Sequence, residues 1–510
     1  MPIERKSRWL MIAAVAVVVI LVALVAAPPL ITPFFRGRVE RALSQHLAST
    51  VELGSFRAWL FPFRVSGSDL QVHHRGRTDV PPLVKLRSFS VNGSLLGLIG
   101  TTTRVRSVSL EGLEIFVPPD RDAPEDDTPD GPTPDFLIGT IVSDGATLTI
   151  GTEEPGKIPL RFDIMQLELQ DVTDDGPFTY VANLTNPKPK GVIAVHGEFG
   201  PWQRGDPRGT ALSGDFRFEN ADLGVFKGIS GILTSVGRFE GELGKLAVTG
   251  DADVPDFALR AAGHPMRLQT RYQATVDGTN GDTILDRIEA RLGSSDFVTS
   301  GRVVKTDAEE GRLILLEVHM EDAELADMLT LSVKAPEPPM SGRLALVSTI
   351  EIPPGDVDVV RKLRLDGRFS VESGRFGDPA VQEKVNELSQ RGRGEPDAPA
   401  SDRVFSTLAG TFTMSDGAMR FENIGFEVPG AVVALAGDYS LTAAQLDFAG
   451  SLRLDAPVSE TVTGFKSILL KIVDPLFRDG DAGTDLPIRV TGTPDAPEFG
   501  VDVKDAITPG

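Results

Sequence analysis

RLQTRYQATV, Arg267–Val276, alternates over its whole length: Leu268, Thr270, Tyr272, Ala274 and Val276 interleave with Arg267, Gln269, Arg271, Gln273 and Thr275. Successive side chains on a strand point to opposite faces, so this period predicts one apolar or neutral face and one wet face. The same alternation recurs at Phe89/Val91, Leu113/Ile115/Val117, Leu148/Ile150, Phe162/Ile164, Phe412/Met414, Met419/Phe421 and Leu452/Leu454. Between two of these, Ser415-Asp416-Gly417 reads as a hairpin turn. Turn-bounded strands at intervals of about 8–12 residues predict a mainly β fold built on an antiparallel sheet. The 52 glycines and 37 prolines suit many short strands joined by tight turns.

Helical signals are few. Asp378-Pro379 is a cap followed by proline at the first helical position, with Val381, Val385 and Leu388 behind it, which predicts a helix near 378–390. Val462, Phe465, Ile468, Leu469, Ile472 and Leu476 form an apolar stripe within Ser459–Phe477. A helix near 459–477 would cover one end of a sheet, dock on a partner or membrane, or serve as an ordinary core helix. Pro118–Asp135, with seven carboxylates and one arginine, reads as a disordered acidic loop, and Arg391–Asp402 as a second flexible loop. Val248-Thr249-Gly250-x-x-Asp253-x-Pro255-Asp256-Phe257 is repeated as Val490-Thr491-Gly492-x-x-Asp495-x-Pro497-Glu498-Phe499. The repeat predicts a recurring strand–turn–strand unit.

The chain begins differently. Trp9–Ala27 is WLMIAAVAVVVILVALVAA, nineteen residues without a charge. As a helix it would span ~29 Å, the thickness of a hydrocarbon core. A cleavable signal has a shorter apolar stretch and a small-x-small site, and Pro28 and Pro29 follow the only weak one here, so the run reads as an uncleaved anchor. Arg5, Lys6 and Arg8 precede it, which places residues 1–8 in the cytoplasm and the bulk of the chain outside. Arg36, Arg38 and Arg41 weaken that asymmetry. They fall on a short amphipathic helix, Phe35–Ala48, at the end of a linker over 28–48, where they would meet anionic headgroups.

Composition removes several function classes. The 510 residues carry 51 basic and 72 acidic side chains, a net charge of −21, which excludes a general nucleic-acid binder. There is no cysteine, hence no disulfide framework, thiolate metal site or cysteine nucleophile. No G-x-S-x-G elbow, phosphate loop or G-x-G-x-x-G fingerprint occurs. His73 and His74 are adjacent, so on a strand they face apart and would not chelate one metal. Asp277-Gly278-Thr279-Asn280-Gly281-Asp282 has Thr and Gly where a calcium loop needs ligands, and reads as a turn. No catalytic residues, metal site or cofactor are expected, and the chain reads as a non-enzyme.

The aromatics carry more. Phe numbers 27 against three Trp and three Tyr. Phenylalanine asks for no hydrogen-bond partner, so it suits a dry surface. One reading is an ordinary β-core; the other is a long sheet curled so that its apolar face forms a groove for acyl chains. About 25–30 strands stacked at ~4.8 Å would make such a groove ~120–145 Å long. The groove candidates are Phe89, Val91, Leu113, Ile115, Leu148, Ile150, Phe162, Ile164, Leu268, Tyr272, Phe412, Met414, Met419 and Phe421.

Several segments have a familiar pattern. After the apolar run and short helix come Val51–Ser55 leading to Phe61–Val65, then Leu83–Leu96 (LVKLRSFSVNGSLL) and Val108–Pro118 (VSLEGLEIFVP). Later come Ala323–Leu329, Ile352–Gly355, Leu365–Phe369, the Phe376–Ser389 helix, Gly410–Phe421, Pro487–Thr493 and Pro497–Phe499. In these the chain resembles the AsmA-like family of bacterial envelope proteins, over most of its length. The resemblance implies a β-groove region over 49–340 and the family's C-terminal region over 341–510. It also implies a role in outer-membrane biogenesis and a hydrophobic groove that carries phospholipid between membranes. It contributes no catalytic residues. The expected protein sits in the bacterial inner membrane by a single pass, periplasmic in bulk. Its expected partners are phospholipids and other envelope or outer-membrane proteins. The alternative is a β-scaffold that binds envelope-assembly partners without carrying lipid. An acid-catalysed envelope enzyme is a third class that no motif supports.

Overall fold

The computed structural model describes residues 49–60, 63–74, 81–94, 103–117, 136–150, 160–173, 176–201, 203, 207–260, 263–278, 281–306, 311–395, 404–455, 485–494 and 496–501. The expected anchor at 9–27, the helix Phe35–Ala48, the acidic stretch 118–135 and the helix near 459–477 lie outside the described residues. Among the described residues no helix is long and apolar enough to cross a membrane.

The fold is mainly β. In chain order the strands are β1 (Ser49–Leu60), β2 (Phe63–His74), β3 (Val84–Gly93), β4 (Thr103–Val117), β5 (Phe136–Ile150), β6 (Leu160–Thr173), β7 (Phe178–Pro187) and β8 (Lys190–Phe199). Then follow β9 (Ala211–Asp222), β10 (Ile229–Ser230), β11 (Ile232–Glu242), β12 (Lys245–Leu259), β13 (Met266–Val276), β14 (Thr283–Leu292), β15 (Ser295–Lys305) and β16 (Arg312–Glu324). The last are β17 (Met340–Ile352), β18 (Arg364–Phe376), β19 (Ser406–Ser415), β20 (Ala418–Val428), β21 (Ala431–Ser440), β22 (Gln445–Leu454), β23 (Asp485–Thr493) and β24 (Ala496–Val501). They belong to one 24-stranded hydrogen-bonded sheet. Among the described residues three α-helices interrupt them: α1 (Leu325–Ser332), α2 (Val359–Lys362) and α3 (Pro379–Gly392).

The chain divides into two compact units. The first runs through Asp222 and includes Leu233–Asp251 and Gln273–Thr283; the second holds Leu223–Ile232, Ala252–Tyr272 and the described residues from Ile284 onward. The expected junction at 340/341 falls at the start of β17, inside the second unit.

In the first unit, neighbours from β1 to β9 pair antiparallel with one exception: β4 and β5 run parallel, Val105 opposite Ile138 and Leu113 opposite Ala146. This corrects the expectation of an antiparallel sheet throughout. A parallel return needs a crossover of a dozen or more residues, and 118–135 supplies the length.

A second departure from strict alternation crosses six strands in register. The ladder skips the facing positions Gly54/Asp69, Asp69/Arg87, Arg87/Gly112, Gly112/Gly145 and Gly145/Met165. Asp69, Gly112 and Gly145 have φ of 53°, 64° and 70°. At this line each strand takes three residues, instead of two, to return to the same face: Leu53 to Phe56, Leu86 to Phe89, Leu110 to Leu113, Ile164 to Leu167. Three of the six strands, β2, β4 and β5, carry a left-handed residue at this line, and the ladder is interrupted across all six in register, a crease on which the apolar residues keep to one face. The result is a core of twenty buried residues from Val51 to Val172, in which Leu53, Val84, Val91, Val108 and Ile138 are fully enclosed.

In the second unit, β15 to β24 pair antiparallel in chain order. The expected hairpin forms: Ser415 faces Ala418, and Asp416 and Gly417 take φ of 52° and 77°, the two positive values that a type I′ turn requires. The expected helix forms as α3. The Asp378 carboxylate accepts hydrogen bonds from the Ala380 and Val381 amides at 2.7 and 3.1 Å. Its Val385 packs with Val404, Val428, Ala431 and Leu454. The loop expected from Arg391 begins later, because Arg391 and Gly392 complete the last turn of α3. Helix α1 is held by Asp327, which accepts from the Ser294 amide and hydroxyl and the Ser295 hydroxyl at 2.7–2.9 Å.

The sequence repeat does not give one structure twice. Val490–Phe499 holds the end of β23, with Gly492 at φ 92° inside the strand, then a hairpin that joins Thr493 to Ala496, and the start of β24. Val248–Phe257 runs straight through β12. The same residue pattern turns only where Gly492 is left-handed and Thr493 meets Ala496 across a hairpin.

Candidate functional site

The candidate surface grows from the period of β16–β23. Register sets three rows on one face of the second unit. The central row passes through Thr299, Val318, Ser348, Gly367, Phe412, Phe421, Gly437, Phe448 and Val490. On one side lie Leu346, Phe369, Gly410, Ile424, Leu435, Gly450 and Ile488. On the other lie Leu316, Ile350, Leu365, Met414, Met419, Tyr439 and Leu446. No residue of the three rows is charged. Near α1 and α3 the face is covered, and Val371 and Ala323 are fully buried. Away from them Leu365, Met419, Phe421, Leu435 and Leu446 are only half-buried.

Glycines give this face a low relief. Phe369 faces Gly410, Phe412 faces Gly367, and Gly437 separates Phe421 from Phe448. A β-carbon on Gly367 would stand 2.8 Å from the Phe412 ring, and one on Gly437 would stand 2.9 Å from Phe448. The rings lie down over the glycines and meet one another, with centroids 6.2 Å apart for Phe369–Phe412 and Phe412–Phe421 and 5.7 Å for Phe421–Phe448. Ring pairs at 4.5–7 Å attract beyond their area burial. The outcome is a paved apolar floor whose phenylalanine rings carry no group that can donate, accept or transfer a proton.

The opposite face is its electrostatic complement. Arg364 pairs with Glu351 at 2.8 Å, Arg420 with Asp438 at 3.0 Å and Arg489 with Asp447 at 2.9 Å. These exposed pairs across neighbouring strands keep that face wet.

Of the sequence candidates, Phe412, Met414, Met419 and Phe421 come together on this floor, Phe412 and Met414 buried at 7% and 3% exposure and Met419 and Phe421 half-buried. Phe89, Val91 and Leu113 lie in the closed core of the first unit at 2%, 0% and 4% exposure, and Ile115, Leu148 and Ile164 pack against it. Ile150, opposite Leu160, and Phe162, opposite Leu148, are placed by backbone register alone. Leu268 and Tyr272 are half-buried on β13, alternating with exposed Arg267, Gln269, Arg271 and Gln273 as expected. Val462, Phe465, Ile468, Leu469, Ile472 and Leu476 lie outside the described residues. Sequence reading missed Phe369, Phe448, Leu435 and Leu446. Their signal was the glycine facing each phenylalanine across the ladder, which only register reveals.

Asp277 closes an ordinary turn: its carbonyl accepts from Gly281, and its carboxylate pairs with Arg208 at 2.7 Å. Among the described residues no three His, Asp or Glu side chains gather to hold a metal ion. No family model and no curated protein matches the chain.

Proposed function

We propose that this chain is an inner-membrane-anchored periplasmic protein that holds or conducts phospholipid acyl chains along the apolar face of its sheet, in the service of outer-membrane biogenesis. The observation that carries the reading is the charge-free apolar face of the second unit, where Phe412 and Phe448 are buried over glycines and Phe421, Leu365, Met419, Leu435 and Leu446 around them are half-buried. The apolar run at 9–27 and the resemblance to the AsmA-like family support it. Burial is worth ~0.8 kcal/mol per methylene, so a chain of about sixteen carbons leaving a bilayer for water costs on the order of 12 kcal/mol. A floor reached from the membrane removes most of that cost. The reading is non-enzymatic and needs no cofactor.

One observation favours the scaffold alternative for part of the molecule. The apolar face of the first unit is a closed core, and Phe89, Val91 and Leu113 present no surface to a ligand. That part fits a support, or a surface for envelope partners, better than a conduit.

The test is photo-crosslinking of the full chain in cells. A benzophenone amino acid would replace Met419 or Leu446 on the floor, and Arg420 on the opposite face as control. The expected result is phospholipid adducts by mass spectrometry at Met419 and Leu446 and none at Arg420. Equal labelling on both faces, or none on the floor, would leave the scaffold as the better account.

A further inference from the structure

We propose that Thr299 is the polar anchor of the floor, donating its hydroxyl hydrogen to the ester carbonyl of an acyl chain that lies along the central row; this rests on the lipid-holding reading above. The row contains two buried hydroxyls, and they differ. Ser348 Oγ donates to the Asp366 carbonyl at 3.1 Å and is satisfied within the sheet. Thr299 is only 7% exposed, and its Oγ1 has no hydrogen-bond partner among the described residues. A buried hydroxyl without a partner loses its water and gains nothing in return, so it is retained at a cost unless something else accepts from it.

Its surroundings narrow what that something is. Thr299 faces Val318 across β15–β16, and the next residue on the same face, Gly301, has no side chain to block approach. The row then continues through Ser348 and Gly367 to the rings of Phe412, Phe421 and Phe448. The hydroxyl therefore stands at one end of an uncharged row that is buried at Val318, Ser348 and Phe412 and half-buried at Gly367, Phe421 and Gly437, so an acyl chain reaches it by parting the side chains over that end. A ligand that matches has one acceptor oxygen at the head of a hydrocarbon chain. No charged residue lies in the row, so the oxygen to be matched is neutral, as in an ester. From β15 to β19 there are four strand spacings, ~19 Å at ~4.8 Å each, so a chain anchored at Thr299 reaches the aromatic floor. Ser143 is a second buried hydroxyl without a partner, but it sits at 1% exposure in the closed core of the first unit, between Leu110 and Leu167, with no open track beside it.

The experiment uses the full chain with the photo-crosslinker at Met419, presented with vesicles holding equal amounts of ester-linked and ether-linked phosphatidylcholine of the same chain length. The ether lipid lacks the carbonyl and keeps the rest. One neutral hydrogen bond predicts capture of the ester form about threefold to tenfold over the ether form. Thr299→Val should bring that ratio to about one, and Thr299→Ser should restore it. Thr299→Val should also leave the melting temperature unchanged or raise it, because it removes a buried unpaired hydroxyl. A ratio near one in the unaltered protein, or the same preference in Thr299→Val, overturns the anchor while leaving lipid holding intact. No adduct of either lipid overturns lipid holding itself, and the anchor with it.

Discussion

Tyr180 shows how one side chain reports its place in the sheet. It sits on β7 opposite Gly197, and its hydroxyl donates to the Ser213 carbonyl at 3.1 Å. A β-carbon on Gly214 would come 2.8 Å from that hydroxyl, so the ring spans two glycines of neighbouring strands, as the phenylalanines do in the second unit. Partial burial penalises the phenolate and pushes the pKa from 10.0 up to about 12. Between those values the folded chain holds a proton that the unfolded chain has lost. Stability from this group is therefore complete below pH ~10 and is lost as the pH rises through about 12. Ultraviolet titration should show a tyrosine ionising near pH 12, and Tyr180→Phe should remove that step. Persistence of the step in Tyr180→Phe would show that the ring is not lodged between those strands.

At the scale of the element, the crease through β1–β6 rests on backbone conformation. Gly145 tests this cleanly. Its φ is 70°, and a β-carbon there would meet nothing within 4 Å, so Gly145→Ala adds no clash. Only the left-handed backbone opposes it, at about 1–2 kcal/mol. Chemical denaturation should show that loss, and Gly145→Asn should lose less, because asparagine tolerates this region. An unchanged midpoint for Gly145→Ala would mean that the crease does not depend on that backbone. The crease also marks the limit of what could be read from residues alone. Period two located β13, the Ser415–Ala418 hairpin and the faces of β19 and β20 next to that turn, because nothing interrupts the alternation before the bulge that follows Phe421. It could not find the three-residue step from Leu53 to Phe56 or from Leu110 to Leu113, because aspartate and glycine are tolerated in a strand and signal a left-handed residue only weakly. Nor could it find the parallel pairing of β4 and β5, which depends on where 118–135 leads the chain. The floor was half legible: Phe412, Met414, Met419 and Phe421 lie beside a recognisable turn, whereas Phe369 and Phe448 reach them only through register. Thr299 looks like any strand threonine until its burial is known.

For the molecule as a whole, charge sets how lipid would be approached. The chain carries a net charge of −21, and on the wet face of the second unit Arg364, Arg420 and Arg489 pair with Glu351, Asp438 and Asp447. Arg302, Arg368 and Arg453 are exposed there as well, but the acidic excess of the whole chain opposes an anionic bilayer. A basic cluster follows the expected anchor in the sequence: Arg36, Arg38 and Arg41. These two features predict opposite salt dependences. If the acidic bulk governs approach, uptake of a fluorescent phospholipid by the full chain from anionic vesicles should be slow at low salt. It should then rise at least about threefold as the screening length falls from ~30 Å at 0.01 M toward ~3 Å at 1 M. Uptake from zwitterionic vesicles should stay flat over the same range. If the arginines beside the anchor steer the membrane instead, anionic vesicles should be faster at low salt, and replacing the three with glutamine should abolish that advantage. The first outcome is expected, because screening acts on both alike and the acidic excess of 21 charges outweighs three arginines. It would also place the entry of lipid at the tether, where attachment to the membrane supplies the proximity that electrostatics withholds.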